Sequence, residues 1–382
     1  MKLKAWQSKA DKRWEENLYK GTVEAATGTG KTYLGLAVVD RFKVYIIDPE
    51  RSERMLIVVP TIALQHQWQQ ELLKVVDAKY VGLFGGGEKD IHMPIVVAVV
   101  NSLRNKELDF EYLILDEIHR MFSKENFTFI KNGTFNKILG LSATPERTDE
   151  LENEILKAYA PVVYRYKRKA AIEDKVLSNY SVEFRGIDLT LDERARYEIY
   201  EDVISNLMYK NKGKAFMALP YKLRVAITNR KILINNASQK IIESAEIVKS
   251  HPKHKIIMFS ESIKTADSMA ELIEDSVVYH SKVKASERQP VIEKFRNGEA
   301  RVLITVRALD EGLNIPNCDM AVVAAGNSVP RQTIQRIGRI LRKSKGKHAK
   351  IIFLYCKGTS EVGKMKTKQE MFKTDATSIV WK

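Results

Sequence analysis

Short apolar runs that alternate with longer helical patterns are the feature of this sequence that most restricts its fold. Runs rich in Val, Ile and Leu, separated by helical patterns, are typical of parallel strands that are buried beneath helices. The first half contains GTVEA, MLIVVP, IVVAVV, YLILD and ILGLS, and the second half contains KIIMFS, SVVYH, VLIT, MAVVAA and KIIFLY. The sequence therefore predicts an α/β fold with two tandem sheets covered by helices.

The charge of the chain divides unevenly near Arg165, and this position is the predicted boundary between two domains. Residues 1–165 contain 23 Lys and Arg against 23 Asp and Glu, whereas residues 166–382 contain 40 against 25. The net charge of +15 thus comes from the second half, which includes a basic, mainly helical segment near 191–250. An uneven positive charge favours a polyanionic partner such as nucleic acid. A lysine-rich surface that aids solubility explains the same count.

The beginning of the chain does not have the pattern of an export signal. The segment MKLKAWQSKADKRWEEN is polar, and no uninterrupted apolar run is long enough to cross a bilayer. Two cysteines, Cys318 and Cys356, argue against a disulfide framework. We therefore expect a cytoplasmic or nucleoid-associated protein that is neither secreted nor bound to a membrane. The polar segment KGTSEVGKMKTKQEMFK near the end is expected to be mobile.

A glycine-rich turn, EAATGTGKT, lies between a predicted strand and a predicted helix and indicates a phosphate site. In such a P-loop (residues 24–32), backbone N–H groups converge on a phosphate and the helix N-terminus adds positive potential. Lys31 is expected to reach the β- and γ-phosphates of ATP, and Thr32 to offer its hydroxyl to Mg²⁺. The other residues expected to line this loop are Thr27, Gly28, Thr29 and Gly30.

An acidic pair at the end of YLILDEIHR is the expected metal partner of this loop. Asp116 follows a buried apolar run and is predicted to bind Mg²⁺, while Glu117 is predicted to orient or deprotonate the attacking water. An acidic pair alone is a weak signal, because such pairs are common in surface loops. Together with the P-loop, it predicts hydrolysis of a nucleotide.

These motifs and several others resemble the superfamily 2 DExH-box helicases and translocases in their order and spacing, over nearly the whole chain. LKAWQ is similar to the adenine-reading segment of the family, DEIH to its DExH box, and LSATPER to its Ser-Ala-Thr motif. VVPTIALQHQW, VVNSLRN and IIMFSES resemble its intervening motifs. VLITVRALDEGLNIP and QTIQRIGRILR resemble the last two, most closely those of the branch that includes XPB and the phage UvsW helicase.

The resemblance implies two tandem RecA-like domains, with the ATP site in the cleft between them. It places Gln7 and Gly312 at the nucleotide, and it implies catalytic roles for Gln335, Arg339 and Arg342. The two arginines are three positions apart on a predicted helix, so they share one face. Charge from such arginines stabilises the γ-phosphoryl group in the transition state.

The family also has coupling residues, which connect the ATP site with the nucleic acid, and residues on the nucleic-acid face. The resemblance implies coupling roles for His119, Ser142 and Thr144. The positions matched to nucleic-acid contacts are Thr61, Ser102, Ser260 and Thr305. Asn314 departs from the aspartate that is usual in the family, so its contact is not carried over.

The implied function is an ATP-dependent helicase or translocase that acts on duplex or branched DNA in repair, recombination or replication. Three alternatives fit the same motifs. The first is an RNA helicase, since such motors contact mainly phosphate and sugar. The second is the motor subunit of a restriction or nuclease complex. The third is a nucleic-acid-binding module that ATP switches with negligible turnover.

Overall fold

The computed structural model of the protein describes residues 1–48, 50–51, 53–121, 123, 125–143, 156–306, 318–325 and 348–382. Within these ranges the chain forms two compact units that divide between Leu177 and Ser178. Each unit is built on one sheet of largely parallel strands, so the predicted α/β class with two tandem sheets is confirmed. Arg165, at the predicted domain boundary, lies within the last strand of the first unit.

The first unit contains an eight-stranded sheet. Its strands are β1 (Lys20–Ala25), β2 (Met55–Val59), β3 (Val81–Gly85), β4 (Glu88–Lys89), β5 (Ile95–Val99), β6 (Asp109–Asp116), β7 (Thr134–Ser142) and β8 (Val162–Tyr166). Its helices are α1 (Ala5–Glu16), α2 (Lys31–Ile46), α3 (Ile62–Leu72), α4 (Thr128–Asn132) and α5 (Arg168–Glu173). The strand order is β4-β3-β5-β2-β6-β7-β1-β8, and only the β3–β4 pair is antiparallel among the described pairs.

The central strands of this sheet are buried on both faces. Every residue of β2 and β5 is buried, and β6 is buried from Tyr112 to Asp116. Such strands have continuous apolar runs because helices cover both sides of the sheet. All five strands predicted in this half are confirmed, and β3, β4 and β8 are additional.

The second unit contains a seven-stranded sheet in which every described pair is parallel. Its strands are β9 (Tyr180–Ile187), β10 (Ile256–Ser260), β11 (Ser276–Tyr279), β12 (Val302–Val306), β13 (Met320–Val323), β14 (Ala349–Cys356) and β15 (Ser378–Trp381). Its helices are α6 (Leu191–Met208), α7 (Tyr221–Asn235), α8 (Ser238–Ser250), α9 (Ile263–Leu272), α10 (Ala285–Asn297) and α11 (Glu361–Phe372). The strand order is β11-β12-β10-β13-β14-β9-β15. No helix among the described residues is long and apolar enough to cross a membrane.

The segment near the end that was expected to be mobile is the helix α11, so that expectation is wrong. Its own Met365 and Phe372 are buried, and the ring centroid of Phe372 lies 5.8 Å from that of Phe353 in β14. Glu361, at its first turn, forms a buried ion pair with Lys240 of α8. Buried contacts that are widely spaced along the segment thus hold a polar sequence in place.

Candidate nucleotide-binding site

The candidate site lies at the carboxyl edge of the first sheet. The P-loop follows β1, Asp116 ends β6, and Ser142 ends β7, and these three strands are neighbours in the order β6-β7-β1. Ligands of open parallel sheets bind at this edge, where the strands point towards the connecting loops. The fold therefore brings together three motifs that lie far apart in the sequence.

The backbone of the P-loop requires glycine at two positions. Gly28 has a φ of 87° and Gly30 a φ of 102°, values in the left-handed region that side chains with a Cβ rarely adopt. Helix α2 begins immediately afterwards, at Lys31. The N–H groups of its first turn, which have no partner within the helix, therefore lie at the loop, as in other anion-binding turns.

The polar side chains of the P-loop differ in how their hydrogen bonds are satisfied. The buried Lys31 donates from Nζ to the carbonyl oxygen of Ala25 at 3.0 Å, and Thr29 donates from Oγ1 to the carbonyl of Ala26 at 2.7 Å. Thr27 Oγ1 is buried and has no hydrogen-bond partner in the part of the chain that the structure describes. Thr32 is half-buried in the first turn of α2. Thr29 thus stabilises the loop, while Thr27 retains hydrogen-bonding capacity for a ligand.

Gln7 packs directly against the end of the P-loop. Its fully buried side chain donates from Nε2 to the carbonyl of Gly30 at 2.9 Å and accepts from the N–H of Lys4 at 2.8 Å. The neighbouring Trp6 stacks on Tyr166 of β8, with ring centroids 4.7 Å apart. These contacts place the segment that resembles the adenine-reading motif beside the P-loop.

Asp116 is held by two hydrogen bonds, one to each carboxylate oxygen. Trp68 of α3 donates from Nε1 to Oδ2 at 2.8 Å, and the N–H of Glu117 donates to Oδ1 at 3.0 Å. Burial and the nearby Glu117 carboxylate raise the pKa of Asp116 to about 6, while the Trp68 hydrogen bond and the Lys31 charge oppose this increase. Lys31 is thus close enough to Asp116 for their charges to interact.

Glu117 adopts a backbone conformation that is unusual for a residue with a side chain. Its φ is 52° and its ψ is 50°, in the left-handed region. Such conformations cost about 1 to 3 kcal/mol and are concentrated at functional sites. The turn leaves the Glu117 side chain partly exposed, with Oε2 3.4 Å from Nδ1 of His119.

The turn after β6 is connected to the end of β7 through His119. Nδ1 of His119 lies 3.1 Å from Oγ of Ser142, and both side chains are buried. His119 therefore contacts both the acidic pair and the beginning of the LSATPER motif.

The oxygen donors at the carboxyl edge fit Mg²⁺ that is bound together with a nucleotide. Asp116 and Glu117 supply carboxylates, and Thr32 supplies a hydroxyl. No group of three or more His, Cys, Asp or Glu suited to a metal occurs among the described residues. Mg²⁺ is commonly bound by one or two carboxylates together with substrate phosphates and water, so such a group is not needed.

The candidate nucleic-acid contacts lie near the carboxyl ends of strands in both units. Thr61 caps α3, its Oγ1 accepting from the N–H of Leu64 at 3.3 Å, and Ser102 lies in the turn after β5. In the second unit, Ser260 ends β10 and Thr305 lies in the adjacent β12. Each of these two side chains belongs to a residue that is 1% exposed. Contact with nucleic acid remains a prediction for all four.

Five predicted site residues lie outside the described ranges. These are Thr144, Gly312, Gln335, Arg339 and Arg342. Trp68, by contrast, contacts the site although the sequence did not indicate it. Its segment has the pattern of a helix, but no local signal connects that indole with an aspartate that is 48 positions away.

Two family models match separate parts of the chain. The model described as Type III restriction enzyme, res subunit, matches residues 1–147. The model described as Helicase conserved C-terminal domain matches residues 237–344. The two matches thus fall in the predicted N-terminal and C-terminal domains, respectively.

Individual relatives match nearly the whole chain. The DNA 3'-5' translocase XPB2 of Sulfurisphaera tokodaii is 31% identical, over 94% of this chain and 83% of its own length. The putative DNA 3'-5' helicase Rad25 of Halobacterium salinarum is 23% identical over 95% of this chain, which spans only 56% of that relative. The crystal structure of the Pyrococcus furiosus Hef helicase domain has a TM-score of 0.62 at 16% identity, covering 96% of this chain and 98% of that one. That structure shares the fold.

Proposed function

The chain belongs to the superfamily 2 helicases, in their XPB-like branch, and from this premise we propose that it is an ATP-driven motor acting on DNA. Its two sheets are the tandem RecA-like domains of the family. The observation that supports the proposal most strongly is the meeting of the P-loop, Asp116 and the His119–Ser142 pair at one sheet edge. Family membership implies the use of ATP with a divalent metal.

Each residue of the site has a proposed task in ATP hydrolysis. Lys31 and the N–H groups of the P-loop bind the phosphates, and Gln7 is the proposed adenine contact. Thr32 and Asp116 are the proposed ligands of Mg²⁺, which when bound would neutralise charge on the phosphates of the nucleotide. Glu117 orients the attacking water and accepts its proton. His119 and Ser142 transmit the state of this site to the nucleic-acid face.

DNA is the proposed substrate, because both cited curated relatives are named for action on DNA. A 3'-5' direction of movement is part of the proposal for the same reason. Contacts to the phosphate backbone suit a motor of this kind, because they are largely independent of sequence. A role in DNA repair is proposed from the XPB-like branch.

The helical part of the second unit is the proposed DNA-binding surface. Between Tyr209 and Lys231 there are seven basic residues and no acidic residue. The basic residues are Lys210, Lys212, Lys214, Lys222, Arg224, Arg230 and Lys231. Three aromatic side chains in this segment are exposed, namely Tyr209, Phe216 and Tyr221. Positive charge beside exposed aromatic rings suits both the phosphates and the bases of a strand.

A comparison of nucleic acids as stimulants of ATP hydrolysis tests the proposal. Wild type and Lys31→Ala are assayed with single-stranded DNA, duplex DNA, forked DNA and RNA. DNA should stimulate the wild type more than RNA does, and Lys31→Ala should remain inactive with every stimulant. Stimulation by RNA alone would instead identify an RNA helicase, and ATP binding without turnover would identify a nucleotide-switched binding module.

Duplexes with one single-stranded tail test the direction of movement. A motor moving 3'-5' along the tailed strand should displace the partner strand from a 3'-tailed duplex but not from a 5'-tailed one. The reverse preference would contradict the direction proposed from the relatives. If no strand is displaced while DNA still stimulates turnover, displacement of the third strand of a triplex is measured instead. A protein that moves along the duplex without unwinding it should displace that third strand.

A further inference from the structure

We propose that Trp68 is a positioning residue for Asp116, holding the carboxylate in the orientation that binds the divalent cation together with ATP. The hydrogen bond from Nε1 to Oδ2 measures 2.8 Å and is buried at both ends. The inference rests on the proposed function, since it assigns to Asp116 the role of metal ligand. The inference adds to the candidate site a residue, Trp68, that lies outside both the P-loop and the acidic pair.

The indole N–H groups of Trp68 and Trp14 donate to different kinds of acceptor. A buried indole N–H needs an acceptor, and a backbone carbonyl would satisfy that need. Trp14 does so, donating from Nε1 to the carbonyl of Ile138 at 2.8 Å. Trp68 instead donates to the side chain that ends β6 in the candidate site. Its hydrogen bond therefore fixes the rotation of a functional carboxylate.

The fold leaves room for the indole at this point. Gly35 of α2 faces the ring, and a Cβ at that position would lie 2.6 Å from Cη2 of Trp68. Since real Cβ contacts are never this short, a larger residue would displace the ring. The helix that follows the P-loop is thus shaped to accept Trp68 beside Asp116.

Helix α3 is itself anchored, so the indole is preorganised. Gln65, one turn before Trp68, is fully buried. It donates from Nε2 to the carbonyls of Phe84 and Val97, at 3.0 and 2.9 Å. These bonds join α3 to β3 and the neighbouring β5. Outer residues that are held rigidly in this way orient metal ligands, and their loss commonly weakens metal binding by about 10- to 100-fold.

The orientation of the carboxylate matters because Asp116 has two oxygens with different neighbours. The Glu117 N–H engages Oδ1 and Trp68 engages Oδ2. Each oxygen retains a lone pair, but the two donors determine the direction in which those lone pairs point. Without the indole donor, the side chain can rotate about its last torsion, and the cation loses a preorganised ligand.

Magnesium-dependent ATP binding tests the inference without relying on turnover. Trp68→Phe removes the donor and keeps an aromatic ring, and Trp14→Phe is the matched control because it removes an equally buried indole bond elsewhere in the same unit. ATP binding to each full-length protein is titrated with Mg²⁺, and also measured in chelator. Trp68→Phe should raise the half-saturating Mg²⁺ concentration about tenfold and leave binding in chelator unchanged, whereas Trp14→Phe should match the wild type.

A second variant controls for the possibility that Trp68→Phe disturbs the folded structure. Site-specific replacement of Trp68 by benzothienylalanine keeps the bicyclic shape but substitutes sulfur for the N–H, and it should produce the same shift. An equal Mg²⁺ requirement in the Trp68 and Trp14 variants would overturn the inference. Absence of Mg²⁺-dependent ATP binding in the wild type would contradict the proposed function itself, so the two failures are distinguishable.

Discussion

Oγ of Ser142 lies 3.1 Å from Nδ1 of His119, so a hydrogen bond joins the end of β7 to the turn after β6. Ser142→Ala removes that bond and should leave ATP binding intact. Stimulation of hydrolysis by DNA should decrease about five- to tenfold, at the lower end of the range for coupling between two sites. The measurement is turnover with and without DNA. Ser178→Ala is the control, because Ser178 is also buried but makes no hydrogen bond through Oγ among the described residues.

Glu117→Gln should separate ATP binding from hydrolysis. The amide has the shape of the carboxylate but cannot accept a proton, and Asp116 remains available for the metal. Turnover should decrease at least about 100-fold, as is usual for loss of a general base, while ATP affinity changes little. Equilibrium binding and a phosphate-release assay measure the two quantities, with Glu71→Gln, at a partly exposed position in α3, as control. Wild-type turnover in Glu117→Gln would remove this residue from the mechanism.

Arg342→Ala tests the arginines predicted from the QRIGRILR motif. Charge that acts mainly on the transition state should affect turnover more than binding, so DNA-stimulated hydrolysis should decrease by about 1000-fold while affinity for DNA is retained. Lys345→Ala, three positions further along, should have little effect. Equal small losses of DNA-stimulated hydrolysis in the two variants would exclude a role of Arg342 in stabilising the transition state. Loss of DNA binding alone in Arg342→Ala would instead indicate that the QRIGRILR segment contacts the phosphate backbone.

Neutralising part of the basic segment should change the salt dependence of DNA binding. The variant replaces Lys210, Lys212 and Lys214 by Gln, and the control replaces the exposed Lys2, Lys9 and Lys12 of the first unit. Each lost phosphate contact reduces the slope of log K against log salt by about 0.7 to 0.9. The slope should therefore decrease by about 2 in the variant and remain unchanged in the control. Identical slopes would indicate that these lysines serve only solubility.

Lys240→Met should destabilise the second unit by breaking its buried ion pair. Nζ of Lys240 lies 2.9 Å from both carboxylate oxygens of Glu361, and removal of one partner from such a pair costs about 3 to 5 kcal/mol. Adding Glu361→Gln should recover much of this loss, because the amide is neutral and still accepts from the N–H of Cys356.

Thiol labelling during denaturation measures the stability of that unit. Cys318 and Cys356 are both buried within it, and burial raises the pKa of the Cys356 thiol to about 12. Labelling at neutral pH therefore requires unfolding, and the denaturant midpoint should be lower in Lys240→Met than in the wild type. If the double variant were no more stable than Lys240→Met, the uncompensated charge would not be the cause.

Local spacing was sufficient to predict the parts of the site that consist of consecutive residues. The P-loop and the acidic pair each consist of consecutive residues, and the strands that precede them contain the short runs GTVEA and YLILD. Trp68 and the His119–Ser142 bond depend instead on which strands become neighbours in the sheet. That order is set by packing over the whole unit, which no single motif specifies.

The strands that were missed have weaker local patterns. β9 reads YSVEFRGI, with charged residues between apolar ones, and β15 has four residues that follow a polar segment. β15 is stabilised by Trp381, which stacks on Phe184 of β9 with ring centroids 4.7 Å apart. This contact joins residues that are distant in sequence, so periodicity alone did not reveal it.

The position of β1 in the first sheet, and of β9 in the second, determines when each sheet can be completed during synthesis. β1, which leads into the P-loop, lies between β7 and β8, and β9 lies between β14 and β15. The first strand of each sheet therefore has both neighbours near the end of its own unit. On the ribosome, neither strand finds a partner until nearly the whole unit has emerged. Such non-local pairing slows folding, so the completion of each sheet should wait for its last strands.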